Sequence, residues 1–137
     1  MSANVEKLMS AIQQAMKTRP KIGGFPHLAE VLRRAGVTKN IWNLPSCQSV
    51  YLMPEGCVVI QGKPLVEGPH EIPKFNQQAL IKALRIDQAG QSTFPEFLEA
   101  TWKAGVTGYE VDFIKRNVAY YSCLGEKYVE DYPEVKL

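Results

Sequence analysis

The sequence repeats itself at one fixed interval, and no other feature limits its fold as strongly. Phe25-Pro26 recurs as Phe94-Pro95, and Ala35-Gly36-Val37-Thr38 recurs as Ala104-Gly105-Val106-Thr107. Both pairs lie 69 positions apart (94 minus 25, 104 minus 35). Glu30 and Glu99, Tyr51 and Tyr120, and Gly56 and Gly125 keep the same offset. Proline at a helix start and glycine past its end are common helix grammar. Grammar alone does not hold one gap-free spacing across two helices and a hairpin. The repeat therefore predicts two copies of one supersecondary unit, each too small to be stable by itself.

The hydrophobic pattern gives the content of that unit. Val5, Leu8, Met9, Ile12, Ala15 and Met16 fall at helical spacing, with Ser2 or Asn4 as the cap. A second helix runs from Phe25 to Ala35, with Phe25, Leu28, Ala29 and Leu32 inward and Glu30, Arg33 and Arg34 solvated. A short strand around Ile41-Trp42 follows, then a hairpin of Gln48–Met53 and Cys57–Gln61 around Pro54-Glu55-Gly56. The second half repeats this order. Asn76 caps one helix, with Phe75 packing on Leu80, and Thr93-Phe94-Pro95-Glu96 opens the next with a capping box. Strands then fall at Tyr109–Ile114, Val118–Cys123 and Lys127–Glu130. The fold class is α+β: an internally duplicated α-α-β-β-β unit forming one antiparallel sheet, with the helices packed on one face. The expected organisation is a single domain over residues 1–137, with pseudo-repeats 4–61 and 73–130 joined by a Pro- and Gly-rich loop, 62–74.

Charge excludes some functions. Sixteen basic and fourteen acidic side chains leave +2 at neutral pH, too small a surplus to point to nucleic acid or a membrane surface. No apolar run approaches the roughly 20 residues of a membrane span. The first sixteen residues carry Glu6, Lys7 and two glutamines and do not read as a signal peptide. Three cysteines, Cys47, Cys57 and Cys123, without CxxC spacing argue for reduced thiols rather than a disulfide framework or zinc site. A cytoplasmic location follows as the expectation. Cys57 and Cys123, in apparent strands, are expected to fill small apolar roles.

Candidate chemistry gathers in the second repeat. Asp112 with Tyr120 and Tyr121 could bind a polar ligand or serve acid–base work. Tyr109, Lys115 and Arg116 complete the set of candidate ligand-binding residues. The bland reading is a solvated carboxylate beside tyrosines that pack their rings. His27 and His70 lack any HxH or HxxxH spacing, so no metal set is expected. No P-loop, GxGxxG or GxSxG string occurs. No catalytic residue and no cofactor is therefore assigned.

The string GVTGYEVDFIKRNVAYY, Gly105 to Tyr121, preceded by STFPEFLEATWKA, resembles the YdfO-like family. Its members are uncharacterised enterobacterial and prophage-encoded proteins, some labelled phage envelope protein. The resemblance rests on Ala104, Gly105, Val106, Val111, Asp112, Tyr120 and Tyr121. It implies a prophage-type accessory protein and transfers no catalytic residue. Three functions follow in order. The first is a non-enzymatic domain binding a protein or small ligand where the repeats meet. The second is a small enzyme using Asp112 with Tyr120 and Tyr121. The third is a weak DNA-binding regulator. A free sheet edge would also allow a homodimer.

Overall fold

The computed structural model describes residues 2–137. Two helices open the chain, α1 (Ala3–Thr18) and α2 (Gly24–Arg34), followed by β1 (Lys39–Asn43), β2 (Gln48–Met53) and β3 (Gly56–Gln61). The same order returns in α3 (Gln77–Gln88), α4 (Phe94–Lys103), β4 (Val106–Asp112), β5 (Asn117–Ser122) and β6 (Lys127–Asp131). The six strands form one antiparallel sheet in the order β3-β2-β1-β4-β5-β6.

Local chemistry explains the boundaries. Ser2 caps α1 by accepting from the Val5 amide, and Asn76 caps α3 by accepting from Ala79. At α4 the Thr93 hydroxyl accepts from the Glu96 amide while the Glu96 carboxylate accepts from the Thr93 amide. That reciprocal pair satisfies two orphan donors of the first turn. Gly105 ends this helix with φ +88°. A Cβ there would stand 2.5 Å from the Phe75 backbone, so glycine is required by both conformation and space.

The two halves meet at β1 and β4. Ile41 lies opposite Glu110, the residue 69 positions further on, and Trp42 lies opposite Tyr109 as Asn40 lies opposite Val111. The hairpins differ by one residue. Met53 pairs with Gly56 across a two-residue turn, whereas β5 turns into β6 through Cys123-Leu124-Gly125 and the Ser122 amide donates to the Glu126 carbonyl. Gly108 sits at a register irregularity in β4, which lets both Val106 and Tyr109 face inward. Strand β4 therefore starts earlier than its alternation predicts, and it ends at Asp112, whose Oδ1 accepts from the Ile114 and Lys115 amides to make the turn.

One face of the sheet carries the core, with Tyr51, Met53, Val58, Val111, Val118 and Tyr120 buried under the helices. The opposite face leaves Ile41, Val59 and Val129 exposed. The helices pack as pairs, α1 on α2 and α3 on α4, and no comparable packing joins one pair to the other. Each Phe-Pro helix start instead reaches the far half. Phe94 meets Trp42 of β1 edge to face at 5.3 Å, and Phe25 meets Tyr132 beyond β6 at 5.2 Å.

Three expectations are corrected. Glu30 is buried, not solvated, with 5% of its surface exposed. Its carboxylate accepts from Arg33 and Arg34 at 2.7 to 3.0 Å, so these arginines neutralise a buried acid of their own helix. Cys57 and Cys123 are exposed, because Cys57 falls on the outward side of edge strand β3 and Cys123 in the turn after β5. Cys47 alone is buried.

Candidate functional site

Because the helix pairs do not close on each other, a cavity of about 520 Å³ remains above the central strands. Its floor is aromatic. The even alternation of β1, β2, β4 and β5 turns Trp42, Tyr51, Tyr109 and Tyr120 toward the helices. Trp42 and Tyr109 stand opposite each other in the register and stack nearly parallel, 5.8 Å apart at 11°. Tyr120 lies 5.7 Å beyond Tyr109. Asn40 fixes the indole, accepting from Trp42 Nε1 at 2.8 Å while donating to the Val50 carbonyl. Phe25, Leu28 and Leu32 of α2 form one wall, and Leu84 of α3 with Phe94 and Phe97 of α4 form the other.

Polar groups are few and placed at the margins. Arg19, Asp87, Glu130 and Tyr132 all belong to the lining. Asp87 is half-buried, and burial raises its carboxyl above the ordinary aspartate value against the opposing effects of the Ser92 hydroxyl and the Arg19 charge. Burial would also raise Glu130, but hydrogen bonds from Arg85, Tyr128 and Gln88 outweigh it and hold the carboxyl down. Burial pushes the Tyr109 and Tyr120 phenols well up, with the Asp87 charge adding to the rise in both. Neither hydroxyl has a hydrogen-bond partner among the described residues. Among the described residues no fully enclosed side-chain nitrogen or oxygen lacks one, so these two hydroxyls open onto the cavity.

A family model described as Protein of unknown function (DUF1398) matches residues 13–131. The chain belongs to this family. Relatives include Uncharacterized protein Mb2035 of Mycobacterium bovis, 48% identical over 136 residues, which cover 99% of this chain and 83% of that protein. Uncharacterized protein Rv2012 of Mycobacterium tuberculosis matches with the same identity and coverage. Both are mycobacterial, whereas the resemblance in the sequence points to enterobacterial and prophage-encoded proteins.

In this DUF1398 chain the six candidate residues do not form one group. Tyr109 and Tyr120 meet on the cavity floor. Asp112 and Tyr121 have the opposite strand parity and face away from the helices. They are also apart along the strands, since Tyr121 pairs with Gly108 and Asp112 with Asn117. Lys115 is exposed in the β4–β5 turn, and Arg116, with φ 56°, meets Glu134 at 3.5 Å. His27, in the first turns of α2, bonds the Thr18 hydroxyl at 2.8 Å, and His70, in the loop after β3, bonds the Glu67 carbonyl. Sequence reasoning missed Trp42, Tyr51, Asp87 and Arg19. The signal for the first two was present in the period-two alternation of β1 and β2, had it been matched with that of β4 and β5.

Proposed function

We propose that the chain is a non-enzymatic binding protein that takes a small, largely apolar ligand into the seam between two duplicated α-α-β-β-β units, 4–61 and 73–130. The observation that carries this reading is the cavity itself. Its volume falls in the usual range for small-molecule sites, roughly 300 to 1,000 Å³. Its walls are hydrophobic, its floor is a row of aromatic rings, and two tyrosine hydroxyls reach it without partners. A few convergent polar groups over an apolar lining is how such sites fix a ligand's orientation. The repeat at 69 positions supports the location, since two units joined by loop 62–74 leave their helix pairs unjoined over the central strands.

The enzyme reading loses its motive, because Asp112 and Tyr120 have opposite strand parity. The test is a screen of small apolar and aromatic compounds by thermal shift, followed by tryptophan fluorescence on the hits. Trp42 lies in the floor, so a seated ligand should raise the melting temperature and change Trp42 emission. Hits that leave Trp42 emission unchanged, or that bind a Leu84→Trp variant equally well although its cavity is filled, would overturn the reading.

A further inference from the structure

We propose that the chain pairs with a second copy of itself along β3, edge to edge and antiparallel, with Val59 opposite the partner's Val59, so that two sheets join into one.

Strand β3 ends the sheet order, and its free edge can be assigned residue by residue. A two-residue turn closes on a hydrogen-bonded pair, here Met53 and Gly56. Bonded and unbonded pairs then alternate along the ladder. The Gly62 amide, one step past the last pair, donates to the Cys47 carbonyl and keeps that phase. Gly56, Val58 and Ile60 therefore bond to β2, while the amides and carbonyls of Cys57, Val59 and Gln61 point away from the sheet. No backbone group of these three bonds elsewhere among the described residues.

Nothing along this edge opposes a second strand. Gly56–Gln61 carries neither a charge nor a proline, the two devices that commonly protect an edge. The opposite edge has both. The Ser122 amide donates to the Glu126 carbonyl and the Tyr132 amide to the Arg116 carbonyl, which turns the backbone of Lys127, Val129 and Asp131 outward in β6. Pro133, next in that phase, has no donor to offer.

The β3 edge is also complementary to itself. A half-turn perpendicular to the sheet keeps the helices of both copies on one side and runs the two edge strands antiparallel. Centred on Val59, it sets Cys57 opposite the partner's Gln61 and closes about six new hydrogen bonds. It sets Glu55 opposite the partner's Lys63, once at each end. No other centre does so, since position 59 is midway between 55 and 63. Glu55 and Lys63 are exposed, and neither joins an ion pair among the described residues. Opposite charges at both ends with uncharged residues between favour this register. Val59, 57% exposed, then stands beside its own copy and extends the outer-face row Val59–Val50–Ile41.

The test is sedimentation equilibrium of the full chain from micromolar to millimolar concentration. The wild type should fit a monomer–dimer equilibrium of 15.4 kDa subunits. Val59→Pro removes a donor that β2 does not use, so it should keep the native circular dichroism and raise the dissociation constant roughly tenfold or more. Val129→Pro, the same change on the β6 edge, should leave that constant unchanged. Glu55→Lys sets like charges opposite each other at both ends and should weaken the dimer roughly threefold to tenfold. Adding Lys63→Glu should restore it, and this charge swap decides the matter should Val59→Pro lose its fold. A wild type that stays monomeric overturns the proposal, as does a dimer that survives in folded Val59→Pro or one that Val129→Pro dissociates. A dimer weakened by Glu55→Lys and not restored by Lys63→Glu overturns the register.

Discussion

Glu30 offers the sharpest test of the packing, because the structure gives both its partners and its titration. Its carboxyl is held down to about 2, from an ordinary 4.5, by hydrogen bonds from Arg33 outweighing burial, with Arg34 and both guanidinium charges assisting. That difference corresponds to at most about 3.4 kcal/mol of native-state stability at neutral pH. Arg33 and Arg34 keep 35% and 53% of their side-chain surface in solvent, so screening reduces the expected contribution to about 1–2 kcal/mol. A folded-state value below the unfolded one means that this stability is complete above about pH 4.5 and is lost as pH falls toward 2. Glu30→Gln keeps the shape and removes the charge. Urea unfolding at pH 7 should show the variant less stable by about 1–2 kcal/mol. Repeated between pH 5 and pH 2, the wild-type advantage should shrink steadily and nearly vanish at the acid end. A variant as stable as wild type at pH 7, or a deficit that persists unchanged at pH 2, would refute the account.

The remaining predictions concern local devices. Gly105→Ala and Gly125→Ala share a positive φ, +88° and +87°, but a Cβ would strike the Phe75 backbone only at the first and meets nothing within 4 Å at the second. Chemical denaturation should therefore show Gly125→Ala costing about 1–2 kcal/mol for conformation alone and Gly105→Ala costing clearly more. Thr93→Ala removes half of the α4 capping box and should lower stability by about 1 kcal/mol in the same assay. Of the three thiols, exposed Cys57 and Cys123 should react promptly with a chromogenic disulfide in the native protein, whereas Cys47, enclosed and with its thiol pushed up by burial, should wait for denaturant.

Much of the architecture was legible because local rules govern it. The Ser2, Asn76 and Thr93 caps, the Phe-Pro helix starts and the alternation of β4 and β5 each depend on residues within a few positions of one another. Glu30 was misjudged for the converse reason. Its helical phase suggests solvent, and only the folded arrangement encloses it and lets Arg33 and Arg34 neutralise it. The site was half legible. Alternation puts Tyr109 on the inner face, but closeness in sequence does not bring Asp112, Lys115, Arg116 and Tyr121 to it in space. Trp42 and Asp87, which line the cavity with Tyr109 and Tyr120, come from β1 and α3. Their convergence depends on how β1 pairs with β4, a long-range register that no local pattern encodes.

That central register has a further consequence for anything the cavity holds. Strand positions 69 apart exchange across the line between Ile41 and Glu110. A floor with identical residues on both sides of such a line would accept each guest in two seats related by a half-turn and equal in energy, worth about 0.4 kcal/mol in degeneracy. Here Tyr109 occupies the place that Asn40 has in the first half, and Trp42 the place that Val111 has in the second. The degeneracy is broken at the two innermost positions, so a bound guest should adopt a single pose and give one set of resonances in its NMR spectrum.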